Sequence, residues 1–264
     1  MMRVGVAGIG VCGPGLAGWD ASRAILAGDA PLLPADIALP APALLSSTER
    51  RRTGPVTRLA LTVAQEASAM SGLHPASLRS VFASSNGDGL VVGAILDALS
   101  RPDGFVSPTQ FHNSVHNAAA GYWSIGAASP QPATVLGCHD WSFAAGLLKA
   151  AAEAVVENVP VLLAVYDVPL PPPMSAKHPM ATPFGVALVL TPDATGRPTL
   201  DLAFGSEPAG DSAPDILGLA ALANGNPAAR SLCLLQALAR DTARDLALCY
   251  LDGHLAMRVT PFPT

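Results

Sequence analysis

A chain of 264 residues, half of them hydrophobic and only 13% charged, is long enough to bury a sizeable core and too apolar to stay disordered. A net charge of −5 argues against nucleic acid as a partner, and no apolar run reaches membrane-spanning length without a Pro, Gly or charge, so no transmembrane helix is expected. The four cysteines, Cys12, Cys138, Cys233 and Cys249, are scattered without a CxxC pair; neither a zinc site nor a disulfide framework is suggested, and a cytoplasmic protein with reduced thiols is the plain reading.

In chain order, residues 3–11 alternate small and branched apolar residues and read as a buried strand ended by Cys12-Gly13-Pro14-Gly15, not as a signal peptide. GVAGIG has the spacing of a loose glycine-rich fingerprint, but its glycines fall within the strand and no acidic residue follows about 20 positions on, so no dinucleotide site is expected. Residues 18–27 read as a short helix and 31–45, rich in Pro and Ala, as an irregular surface excursion. Ser46-Ser47-Thr48-Glu49 is a helix cap followed by Arg50, Arg51 and Arg52, and 56–70 is an amphipathic helix. A strand at 80–85, the turn Asn86-Gly87-Asp88-Gly89 and a helix at 90–99 form a strand–turn–helix unit of a layered α/β fold.

The stretch SPTQFHNSVHNAAAGYWSIGAA gathers His112, His116, Asn113, Asn117, Phe111 and Trp123 in a chain poor in aromatics. A short strand at 134–136 then turns at Gly137-Cys138 into an Ala-rich helix ending near 157. That geometry presents a thiol to a helix N-terminus, which favours a thiolate or an oxyanion. His112 and His116, four apart, would share a helix face, but no acidic third ligand stands at metal spacing; a hydrogen-bonded cluster with Asn113 and Asn117 is the better reading. VPVLLAVY is a fully apolar central strand, 167–182 a loop and GVALVL another strand. A strand at 199–204, a polar link, a helix at 228–239 and a hairpin of 245–251 with 254–260 around Asp252-Gly253 close the chain.

Taken together, VGVAGIGVCGPGLAGWDASRAILAG, TRLALTVAQEASAMSG, FASSNGDG, FHNSVHNAAAGYWSIG and GCHDWSFAAGLLKAAAEAV resemble, in order and spacing, the amino-terminal half of the β-ketoacyl synthases of fatty acid and polyketide synthesis. The resemblance covers residues 3–190. It implies an α/β, thiolase-like layered fold, a mixed sheet packed by helices, with only one complete thiolase half. The whole of 1–264 would be a single domain, 191–264 being a short carboxy-terminal extension with a helix and a β-hairpin. It places Cys138 on the family's nucleophile.

The departures bear on function. After residue 190 about seventy residues remain, with His254 as their one histidine, and the family's two activating histidines have no counterpart there. His139-Asp140-Trp141 replaces the small residues beside the thiol; Trp141 would obstruct an acyl chain and Asp140 would disfavour a thiolate. The combination is most similar to the small ketosynthase-like chain length factors of aryl polyene and related pathways. By that resemblance the chain would be a non-catalytic subunit that dimerises with a full-length ketosynthase through a strand and loops around 111–124. It would cap a shared acyl tunnel and meet an acyl carrier protein through Arg50, Arg51 and Arg52, without cofactor or metal; Phe111, Trp123 and Trp141 read as core or interface residues, with lining of the tunnel as the alternative. The alternative is a stand-alone acyltransferase or thioesterase using Cys138, with His116 or His139 as base.

Overall fold

The computed structural model describes residues 1–33, 35–37 and 39–262; Pro34 and Ala38, within the expected 31–45 excursion, lie outside the described residues. One mixed sheet of nine strands organises the fold. β1 (Met2–Gly13) pairs with the short β2 (Leu16–Ala17) and, on its two sides, with β6 (Phe184–Thr191) and β7 (Thr199–Gly205), all antiparallel. β3 (Arg79–Ala83) lies parallel between β4 (Ala133–Leu136) and β5 (Val161–Asp167). The hairpin of β8 (Arg244–Tyr250) and β9 (Gly253–Thr260) continues the sheet beyond β7, giving the order β4-β3-β5-β6-β1-β7-β9-β8. The last seventy or so residues therefore extend the same sheet through the β1–β7 ladder.

Helices cover both faces, and the strand sequences show why. In VLLAVYD, Val161, Leu163 and Val165 enter one core and Leu162, Ala164 and Tyr166 the other. A central strand wet on neither side must be apolar at every position, whereas a strand with one wet face alternates. The first core is closed by α1 (Trp19–Ala27), α7 (Ser142–Glu157), α8 (Leu217–Gly225) and α9 (Leu232–Ala239). The second is closed by α3 (Pro55–Ser71) and α6 (Ala118–Gly126). α2 (Ser47–Arg52) carries the basic triplet and is capped as expected, Ser46 Oγ accepting from Glu49 N–H at 3.3 Å. α4 (Gly89–Leu99) packs on α5 (Pro108–Ser114), which packs on α6.

The glycines of GVAGIG have a packing role. A Cβ on Gly8 would collide with the Ala67 carbonyl of α3, and one on Gly10 with that of Val63. They let α3 lie directly on β1. Glu66 of the same helix accepts from Val11 N–H at 3.0 Å and from Trp19 N–H, tying down the exit of the strand.

Four expectations need correction. Residues 111–124 form the helices α5 and α6, not a strand with loops: Pro108 starts the first and Ala118-Ala119-Ala120 the second. His112 and His116 share no helix face, because Val115 leaves the helix in an extended conformation. The polar link after β7 contains α8, whose run LGLAALANG buries only Leu219 and Ala223. The closing hairpin turns at Leu251-Asp252, with Leu251 at φ 54°, while Gly253 opens β9, where a Cβ would strike the Gly205 carbonyl. Among the described residues no helix is long and apolar enough to cross a membrane.

Candidate functional site

The loops leaving the carboxyl ends of the parallel strands β3, β4 and β5 converge, and they carry the polar groups singled out in the sequence. Cys138 follows β4, but it does not open α7. His139–Trp141 form a 3₁₀ turn, closed by Trp141 N–H donating to the Cys138 carbonyl at 2.9 Å, and the α-helix begins only at Ser142. Ser142 Oγ has its proton committed locally, accepting from Cys138 N–H at 3.0 Å and donating to the His139 carbonyl at 2.7 Å. His139 sits at φ 49°, a left-handed conformation uncommon outside glycine, though histidine is among the residues that adopt it more often. Partial burial pushes the Cys138 thiol above its ordinary pKa, so the turn does not generate a thiolate.

Neither proposed base hydrogen-bonds to the sulfur. His116 Nε2 pairs with the Ser84 carbonyl at 3.0 Å and its ring lies beside Gly87 and Gly137, joining the β3 and β4 exits. His139 stacks on His178, ring centroids 4.1 Å apart. Among the described residues no hydrogen bond is made to Cys138 Sγ. Cys12 and Cys233 are buried, their thiols pushed up to about 11 and about 12.

Around this turn runs a polar network that the sequence reading missed. Asp167, fully buried at the end of β5, accepts through Oδ1 from Ser84 Oγ (2.9 Å), Ser85 N (2.8 Å) and Ser85 Oγ (2.7 Å). Its Oδ2 has no partner among the described residues, and burial raises its pKa to about 6. Asn86 Nδ2 donates to Ser85 Oγ at 2.9 Å and lies 2.8 Å from His178 Nδ1. An amide nitrogen only donates, so Nδ1 accepts and Nε2–H donates to Asp140 Oδ1 at 2.9 Å. Arg230 Nη2 approaches the other oxygen, Oδ2, at 3.4 Å. Asn226 fastens the far side, donating to the Asp167 and Thr182 carbonyls at 3.1 and 2.8 Å and accepting from Ala228 N–H at 2.8 Å. His178 had no local signal: it lies in a Pro-rich loop, far in sequence from Asp140.

The aromatic and amide residues of α5 and α6 play separate parts. Asn113 is buried, donating to the Arg52 carbonyl at 2.8 Å and accepting from Tyr122 Oη at 3.1 Å, while His112 meets the Tyr122 ring edge-on. Asn113 thus joins α2, α5 and α6. Asn117 is exposed at the start of α6 and makes no side-chain cap. Trp123 is wholly in the core, against Phe82, and Trp141 is half-buried on the 3₁₀ turn. Arg51 and Arg52 are exposed, Arg52 pairing with Glu49 at 3.3 Å, and Arg50 is half-buried.

One face is left bare. α4 is GLVVGAILDAL, yet only Gly89 of it is buried, and Leu90, Leu96 and Leu99 are exposed. Phe105 (74% exposed), Phe111 (67%), Val115 and Ile125 continue that surface across α5 and α6. These helices touch in succession and α6 reaches β4, whose far edge has no strand partner among the described residues.

Residues 24–251 match the family model of the β-ketoacyl synthase N-terminal domain. The chain belongs to that family. This β-ketoacyl synthase domain matches no curated protein sequence at a significant level. Its fold is shared with solved structures. A chain of the ketosynthase ApeO in complex with its chain length factor ApeC, from Xenorhabdus doucetiae, has a TM-score of 0.74 at 20% identity, over 98% of this chain and 100% of that one. A chain of the ishigamide ketosynthase/chain length factor has 0.69 at 16%, over 100% of both. A chain of AntDE:AntF, a type II acyl carrier protein in complex with its ketosynthase bound to the hexaketide, has 0.72 at 13%, over 99% of both. At these identities the likeness establishes the thiolase-like fold.

Proposed function

We propose that this chain is a chain-length-factor-like, non-catalytic subunit that pairs with a ketosynthase in type II fatty acid or polyketide synthesis of the aryl polyene kind. The observation that carries the reading is the bare apolar face of α4, α5 and α6 beside the open edge of β4. A contiguous apolar surface next to unpaired strand groups is costly in water and suits an obligate interface. The Cys138 turn supports the non-catalytic part: its thiol is held protonated by burial, its neighbouring hydroxyl is occupied, and His116 and His139 are engaged elsewhere. Two of the neighbours named above are ketosynthase and chain length factor pairs, which agrees with this pairing.

The basic residues of α2 sit at the margin of the bare face, since Asn113 binds the Arg52 carbonyl. An acyl carrier protein, whose recognition surface is acidic by the family resemblance, would meet Arg50, Arg51 and Arg52 there while the partner covers α4. A cytoplasmic location belongs to the same proposal.

The test is co-expression of the tagged chain with a ketosynthase encoded beside it, followed by size-exclusion chromatography with light scattering. A one-to-one complex is expected, with self-pairing or precipitation when the chain is made alone. Leu96→Asp, at an exposed position of α4, should abolish co-purification and leave the circular dichroism unchanged. A stable, soluble monomer that ignores the ketosynthase would overturn the reading.

A further inference from the structure

The polar network at the strand ends brings together three groups that neither the pairing nor the Cys138 turn uses. His139 Nδ1, Asp140 Oδ1 and His178 Nε2 all lie within 4.8 Å of one another. His178 Nε2 is 2.9 Å and His139 Nδ1 is 3.6 Å from the same carboxylate oxygen. Around a tetrahedral zinc with bonds of about 2.0–2.1 Å the ligand atoms stand about 3.3 Å apart, so the two separations bracket the required one. We propose that His139, Asp140 and His178 form a binding site for a divalent transition metal of the zinc class, clasping the β4 exit turn to the loop that follows β5.

The surroundings favour this donor set. Asp140 divides its oxygens: Oδ2 faces Arg230, which leaves Oδ1 for the histidine side. Arg230 is itself held by Asp211 at 3.0 Å, so its approach to Asp140 is fixed. His178 is only 12% exposed and is held from behind by Asn86 Nδ2, 2.8 Å from Nδ1; a ligating histidine donates from that second nitrogen, so the contact has to reverse when the metal binds. Capture of a metal at Nε2 displaces that proton and places one on Nδ1, so the ring stays neutral. The Asn86 amide then turns over and accepts with Oδ1, giving up the bond that Nδ2 donates to Ser85 Oγ. Two imidazoles and one carboxylate suit zinc, cobalt or nickel better than magnesium or calcium, and three protein ligands leave a position open for water or another donor.

One adjustment is needed. The rings of His139 and His178 are nearly parallel, 18° apart, and a metal cannot lie in both planes while they stack. His139 has to turn, and its side chain is 64% exposed. The three ligands are thus two placed groups and one that closes on the ion.

The experiment is titration of the purified full chain, stripped with chelator, with Co²⁺ and then Zn²⁺, alone and with its partner against a partner-only blank. One Co²⁺ per chain with d–d bands and no thiolate charge-transfer band is expected, displaced by Zn²⁺, which also raises the unfolding temperature. His178→Ala and Asp140→Asn should each weaken binding by about tenfold or more, and Cys138→Ala should not. His139→Ala, at an exposed position, keeps the test open if the other variants unfold; it too should weaken binding. Absence of stoichiometric Co²⁺ binding by the folded chain, binding unaffected in His139→Ala, or a thiolate band lost in Cys138→Ala would each overturn the site.

Discussion

Asp167→Asn reports directly on the network at the strand ends. The Asp167 carboxyl is buried in the folded chain with a pKa of about 6, against an ordinary 3.8, and desolvation is the main cause. His178, across Asn86, pulls in the opposite direction, as do the bonds from Ser84 and Ser85. A raised carboxyl pKa means that the folded state binds the proton more tightly. This contribution to stability is therefore full below the unfolded pKa and is lost as pH rises through about 6. At about 1.4 kcal/mol per unit, a shift of about two units is worth about 3 kcal/mol in all. Of that, about 1 kcal/mol falls between about pH 5 and pH 7. Asn keeps an acceptor for Ser84 and Ser85 and cannot titrate, so the stability difference between the two proteins isolates the group. Urea unfolding followed by tryptophan fluorescence, run on both proteins across this range, should show the wild type losing about 1 kcal/mol relative to the variant as pH rises. A difference that is flat with pH, or that moves the other way, would refute the burial argument.

Two further substitutions probe the frame that holds the site. Gly10→Ala drives a methyl into the Val63 carbonyl and should cost at least about 1–3 kcal/mol in urea unfolding, because both strand and helix backbones are fixed there; an unchanged midpoint would show that α3 does not need that approach. Asn226→Ala removes three hydrogen bonds at a buried position and leaves two carbonyls and an N–H unsatisfied. It should destabilise by about 2–4 kcal/mol, read in the same assay, and an effect within experimental error would mean that water replaces the amide.

Much of the fold is written into periodicity. The uninterrupted apolar runs at β5 and β6 announced strands covered on both faces, and Ser46 with Glu49 announced the start of α2. The helices that were missed are those for which amphipathicity is the wrong guide. α8 buries two side chains and α5 leaves Phe111 to solvent, so no polar face marks them against a core. α5 also hides behind His, Asn and Ser, residues that read as loop, although Pro108 at its start was a usable signal. Cys138 was legible as the thiol after a strand, but the 3₁₀ turn at His139 was not, since it depends on Ser142 folding back onto Cys138 N–H. His178 and Asp167 were out of reach for a different reason: what makes them matter is contact with Asn86, Ser85 and Asp140, and each of those contacts spans tens of residues.

The central claim is that this chain shapes a partner's reaction and does not carry the acyl group itself. The most direct measurement is the intact mass of both chains of the co-purified pair after incubation with an acyl thioester, repeated with Cys138→Ala. The account predicts a stoichiometric adduct on the ketosynthase, none on this chain, and no change in the variant. A stoichiometric adduct on this chain that disappears with Cys138→Ala would contradict it and make Cys138 a working nucleophile.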